Sequence, residues 1–107
     1  MSVRRHMVHA MGYVYILRCA DGTLYVGSTR DLGQRLVQHQ EGMGSSYTRR
    51  RLPVELIWSE DFARIDEAFA WENRIQGWSH AKRMAFIEGG MDAVVGWSRK
   101  TRAASGR

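Results

Sequence analysis

A chain of 107 residues supports one domain, with a core that buries roughly two-thirds of the unfolded surface. Hydrophobic residues make up 44% and charged residues 25%, which excludes wholesale disorder, collagen and a coiled coil; no apolar run approaches the roughly 18 residues of a membrane span. The net charge of +5 sits at the ends: residues 1–10 and 98–107 carry six basic and no acidic side chains, whereas residues 11–97 carry ten basic and eleven acidic ones. Residues 1–10 read as a disordered extension without the apolar core of a secretory signal, 11–97 as the domain, and 98–107 as a basic disordered tail. The lone Cys19 excludes an internal disulfide and any multi-cysteine zinc site, and suits a reducing, cytoplasmic setting.

Along the chain, Tyr13-Val14-Tyr15-Ile16-Leu17 is β-branched and aromatic and predicts a strand, with Leu24 to Ser28 as the returning strand. The turn between them decides the register. A two-residue Asp21-Gly22 turn would pair Arg18 with Tyr25 and put Tyr15 and Tyr25 on opposite faces. A three-residue loop, Ala20-Asp21-Gly22 with a left-handed Gly22, pairs Leu17 with Tyr25 and puts both tyrosines on one face; this is the expected arrangement. Asp31 to Glu41 reads as a helix with Thr29 or Asp31 as N-cap and Gly42 as its stop. Residues 42–51 form a polar, basic loop with room for one helical turn. Val54 to Trp58 predicts a third strand, with Pro53 at its first position. Ala63 to Gln76 and Ser79 to Glu88 predict helices, and Met91 to Trp97 a further short one. Hairpin, helix, strand and helices in this order give a small α+β domain.

Two helices carry polar residues where apolar ones are expected. The stripe of the 63–76 helix, at 100° per residue, centres on Ile65, Ala68, Phe69 and Ile75, and Glu72 falls in its middle. A carboxylate there needs compensation: exposure at a cleft, an arginine partner, or a divalent metal. In the 31–41 helix, Leu32 and Leu36 define the inner face, flanked by Arg35 and His39 one turn apart. These two form either a site or a snorkelling arginine beside a satisfied rim histidine.

Tyr13-Val14-Tyr15, then Tyr25-Val26-Gly27 after a short hairpin, Arg35 ten residues beyond Tyr25, His39 one turn later and Glu72 on a later helix together resemble the GIY-YIG nuclease domain, and most closely its small bacterial members. Tyr47-Thr48, Pro53-Val54-Glu55-Leu56, Glu72-Asn73-Arg74-Ile75 and Trp78-Ser79 extend the likeness over about residues 12–88. The resemblance implies a three-stranded antiparallel sheet flanked by helices, and hydrolysis of DNA phosphodiesters with one divalent ion, Mg2+ or Mn2+. It implies that Tyr15 and Tyr25 position or deprotonate the attacking water. Arg35 would neutralise the phosphate, His39 would contact phosphate or assist proton transfer, and Glu72 would bind the metal. Longer members have an Asn past the metal-binding Glu; residues 88–92 here have none.

The chemistry of these residue types agrees. Phosphoryl transfer asks for positioning and charge stabilisation, which an arginine and a metal-bearing carboxylate supply. A tyrosine of pKa near 10 is a poor base at neutral pH unless Arg35 or the metal lowers it, and a histidine is better matched. Tyr47 is expected to stack on a base and Arg49-Arg50-Arg51 to hold phosphates, so recognition would be of single-stranded or branched DNA in repair or recombination rather than of a sequence. A monomer with no membrane contact is expected. Two rival classes are a binding module that keeps the cleft without catalysis, and an adaptor that uses exposed tryptophans among Trp58, Trp71, Trp78 and Trp97.

Overall fold

Strand β1 (Gly12–Arg18) contains the apolar run and takes the centre of a three-stranded antiparallel sheet of order β2-β1-β3. In this computed structural model, residues 11–97 are described and fall into two compact units, 11–77 and 78–97. The predicted extension and tail, residues 1–10 and 98–107, lie outside the described residues. In the first unit β1 is followed by β2 (Leu24–Thr29), α1 (Leu32–Gln40), the single turn α2 (Ser46–Arg49), β3 (Glu55–Phe62) and α3 (Ile65–Gln76). The second unit holds α4 (His80–Gly89) and α5 (Met91–Val94). No helix among the described residues is long and apolar enough to cross a membrane.

A central strand is covered on both faces, which is why β1 reads as continuous apolar sequence rather than as an alternation. Val14, Tyr15, Ile16 and Leu17 are all fully buried. On one face Tyr15, Leu17, Cys19 and Val54 form a cluster on which Leu32 and Leu36 of α1 pack. The opposite face, that of Gly12 and Val14, meets α3.

The hairpin has the three-residue loop. Leu17 pairs with Tyr25, Cys19 N donates to Thr23 O at 2.9 Å, and Gly22 is left-handed at φ 87°. Tyr15 and Tyr25 therefore share a face. Asp31 is the N-cap of α1 and accepts from Gln34 N at 3.0 Å; Thr29 instead accepts from Asp31 N at 3.1 Å.

Three expectations change. Strand β3 runs on to Phe62, because β1 offers partners as far as Gly12 and an edge strand tolerates the polar Ser59, Glu60 and Asp61; a bulge at Ile57 shifts its register. Phe69 is 49% exposed, so the inward stripe of α3 runs through the half-buried Ile65 and the buried Ala68 and Ile75 without it. Helix α5 stops at Val94, where Val95 turns extended at φ −61°, ψ 126°.

Gly12 sets the distance between sheet and helix. A Cβ there would stand 2.9 Å from Ile65 Cα and 3.1 Å from Ala68 Cβ. The first of these is backbone, so α3 would have to move as a body. Gly12→Ala is expected to cost about 1–3 kcal/mol, read as a lowered urea midpoint at unchanged slope.

Candidate active site

The alternation of β1 and β2 puts Tyr15 and Tyr25 side by side on the α1 face, with ring centroids 6.3 Å apart. Gly27, opposite Tyr15 in the register, leaves the room that the Tyr15 ring needs: a Cβ on it would stand 2.6 Å from the Tyr15 hydroxyl and 3.1 Å from Tyr25 Cε2. The Tyr15 hydroxyl lies 2.8 Å from His39 Nε2. His39 Nδ1 lies 2.9 Å from Thr48 Oγ1, which in turn lies 3.0 Å from Ser45 Oγ. One polar chain thus joins β1, α1 and α2. Tyr15, His39 and Thr48 are all fully buried, and each has its partner. Gly44 completes the seat of His39, since a Cβ there would overlap the imidazole.

Burial governs the proton chemistry of this pair. It pushes the Tyr15 phenol far up; the Tyr25 hydroxyl and the Glu72 carboxylate add to the rise, and the Arg35 cation opposes it without cancelling it. Tyr15 is therefore a neutral phenol at physiological pH, and Arg35 alone does not bring it into the range of a base. Burial, and then the nearby Arg35 charge, push the His39 imidazole below its ordinary value, so it stays neutral. His39 is not the rim residue that its helical position suggested. It touches Tyr15, Thr48 and the edge of the Tyr25 ring, whose centroid is 5.2 Å away, and it has no exposed surface for a phosphate.

The reachable groups surround this pair. Tyr25 is half-buried, and its hydroxyl makes no hydrogen bond among the described residues. Arg35, also half-buried, acts electrostatically on both Tyr15 and His39. Glu72 approaches from the α3 face at the β2 edge. Ser28 Oγ donates to its Oε1 at 2.5 Å, and Gln76 Nε2, also bonded to the Val26 carbonyl, to its Oε2 at 3.3 Å. The three ion pairs among the described residues, Arg18–Glu55, Arg51–Asp21 and Arg64–Asp66, leave Glu72 out. Its compensation is thus two neutral donors and partial exposure, not a salt bridge.

A half-buried carboxylate fixed by two donors, with lone pairs still open and no ion pair among the described residues, fits a hard divalent ion that keeps most of its own waters. No group of three or more His, Cys, Asp or Glu gathers among the described residues, so a fully protein-caged metal does not fit.

The α2 region departs from expectation. Arg49 and Arg50 are exposed. Arg51 instead pairs with Asp21 at 3.1 Å and lies over the Tyr47 ring, 3.7 Å from its centroid. Tyr47 packs against Tyr25 at 6.0 Å, so its ring is engaged within the chain. Sequence reasoning passed over Ser28, Gly44, Gln76 and, as a partner of His39, Thr48. Two of them left a trace: Gln76 stands one helical turn after Glu72, and Ser45 with Thr48 has the spacing of a helix cap.

Residues 11–85 match the family model of the GIY-YIG catalytic domain. The chain belongs to the GIY-YIG family. It is similar to a UPF0213 protein of Bacillus pumilus, 49% identical over 76 residues that cover 71% of this chain and 78% of that one. A UPF0213 protein of Staphylococcus saprophyticus is 38% identical over 78 residues, 73% of this chain and 95% of that one. The solution NMR structure of a UPF0213 protein from Bacillus halodurans matches with a TM-score of 0.50 and 34% identity, over 79% of this chain and 94% of that one. The GIY-YIG fold expected from the tyrosine, arginine, histidine and glutamate spacing is therefore the fold of this chain.

In this GIY-YIG domain the buried His39 has a pH signature. Its folded-state pKa lies below the unfolded value of about 6.5, so the unfolded chain takes up the proton first. Stability is present above pH about 6.5 and is lost as the pH falls below it toward the folded-state value, at up to about 1.4 kcal/mol per pH unit. Urea midpoints between pH 7.5 and 5 are expected to fall with this sense in the native protein and to stay flatter in His39→Gln.

Proposed function

We propose that this GIY-YIG domain hydrolyses DNA phosphodiester bonds with one divalent cation, Mg2+ or Mn2+. The observation that carries the reading is that three reachable side chains, Tyr25 and Arg35 on the α1 side and Glu72 at the β2 edge, each lie near enough to the buried Tyr15 hydroxyl to act on it electrostatically. Each has a separate task. The Tyr25 hydroxyl, free of other partners among the described residues, accepts a hydrogen bond from the attacking water and turns its lone pair toward phosphorus. The Arg35 guanidinium neutralises charge that grows on the phosphate oxygens, with the two parallel donors that a lysine lacks. Glu72 would hold the cation, and Ser28 and Gln76 keep its carboxylate from rotating. The cation, when bound, supplies positive charge to the phosphate and lowers the pKa of water. Tyr15 and His39, closed off from substrate, keep the Tyr25 ring and α1 in register with the sheet.

The exposed Arg49 and Arg50 supply phosphate contacts without base reading. That favours single-stranded or branched DNA, the substrates of repair and recombination. We place the activity in the cytoplasm, in a monomer, where the thiol of Cys19 stays reduced.

The test offers end-labelled single-stranded, duplex, flap and branched DNA to the protein with Mg2+, Mn2+ or EDTA. Products are expected with metal and not with EDTA. Glu72→Ala and Arg35→Ala are each expected to lower the rate on the order of 100-fold or more. Salt-sensitive binding by folded protein without any product would overturn the reading and favour a binding module.

A further inference from the structure

Arg51 is tied into the chain through both its side chain and its backbone. Its Nε donates to Asp21 Oδ2 at 3.1 Å and its Nη1 to the Tyr47 carbonyl at 2.9 Å, while its guanidinium lies over the Tyr47 ring. Its backbone N donates to Thr48 O, and its carbonyl accepts from Ala20 N, both at 2.9 Å. Asp21 is itself held, accepting from Thr23 N at 3.1 Å and Thr23 Oγ1 at 2.6 Å. The hairpin tip and the α2 turn are thereby stitched together through one side chain. Its neighbours Arg49 and Arg50 are exposed and form no ion pair among the described residues.

What this stitch holds is an aromatic ring against the candidate active site. The Tyr25 hydroxyl has no hydrogen-bond partner among the described residues, so packing alone sets its place. Beside the buried cluster of Leu17, Cys19 and Val54, three rings pack near it: Tyr15 at 6.3 Å, His39 at 5.2 Å and Tyr47 at 6.0 Å. Hydrogen bonds and burial fix the first two. Tyr47 is 36% exposed and on a one-turn helix, and the stacked Arg51 guanidinium covers one face of its ring.

We propose that Arg51 is a positioning residue that holds the Tyr25 ring in place through Tyr47, and is not a phosphate contact. The inference rests on Tyr25 being the water-orienting hydroxyl of the proposed nuclease. It divides the Arg49-Arg50-Arg51 run into two exposed cations that meet DNA and one that serves the site from behind.

The experiment measures binding of a single-stranded oligonucleotide over a range of salt, with the aromatic NMR signals of Tyr25, for the native protein, Arg50→Ala and Arg51→Ala. A lost phosphate contact lowers the slope of log K against log salt by about 0.7. Arg50→Ala is expected to show that change and to leave the Tyr25 signals in place. Arg51→Ala is expected to keep the native slope and move the Tyr25 signals. In cleavage, Arg51→Ala would lower kcat by about 10- to 100-fold at unchanged KM. A slope reduced as in Arg50→Ala, with Tyr25 signals unmoved, would overturn the proposal. If Arg51→Ala does not fold, Arg51→Gln removes both the cation over Tyr47 and the charge beside Asp21 while keeping much of the side-chain volume; moved Tyr25 signals support the proposal and unmoved ones overturn it. Absence of cleavage by the native protein would refute the nuclease reading alone, because slopes and ring signals are read without catalysis.

Discussion

The packing of the buried Tyr15 and His39 rings between sheet and helix, joined by a hydrogen bond from hydroxyl to Nε2, is the constraint on which the rest of the site depends. Two polar side chains with no exposed surface sit in the seam between sheet and helix. Leaving either without its partner would cost about 1–3 kcal/mol in desolvation. The chain avoids that cost by continuing the bond through Thr48 to Ser45. In doing so it fixes α1 to β1 and the α2 turn to α1. Two glycines serve the same bond from either end, since side chains at Gly27 or Gly44 would overlap Tyr15 or His39.

Placing this pair inside the core divides the five residues of the family pattern by access. Tyr15 and His39 form a foundation; Tyr25, Arg35 and Glu72 stand around it with surface to offer. The charges respect that division. Burial first, and Arg35 after it, keeps His39 neutral, and burial first, with smaller contributions from Tyr25 and Glu72, raises the Tyr15 phenol; Arg35 and Glu72 form no ion pair with each other. In the proposed nuclease, the cation would serve the phosphate and the carboxylate the metal.

Much of this was legible in the sequence, and the limit has a physical cause. Local chemistry decided the register: Asp21-Gly22 in a three-residue loop puts Leu17 opposite Tyr25, and hence both tyrosines on one face. The α3 periodicity exposed Glu72 as a misplaced carboxylate, and the order of tyrosines, arginine, histidine and glutamate pointed to the GIY-YIG family. What stayed hidden depends on contacts between residues far apart in the chain. A helical wheel puts His39 at the rim, but Tyr15, 24 residues away, and the fold of the Gly44 loop cover it. A run of three arginines looks uniform until Asp21, 30 residues earlier, takes one of them. Strand β3 outran its apolar stretch because β1, not its own composition, supplied the pairing.

The measurement that tests the account most directly compares single-turnover DNA cleavage by Tyr25→Phe and Tyr15→Phe, each under conditions where it is folded. The division into a reachable tyrosine and a buried one predicts a loss of about 100-fold or more for Tyr25→Phe. Tyr15→Phe, which removes a hydroxyl that meets only His39, is expected to stay within about tenfold of the native rate. The opposite ranking, with Tyr15→Phe inactive and Tyr25→Phe close to native, would contradict it.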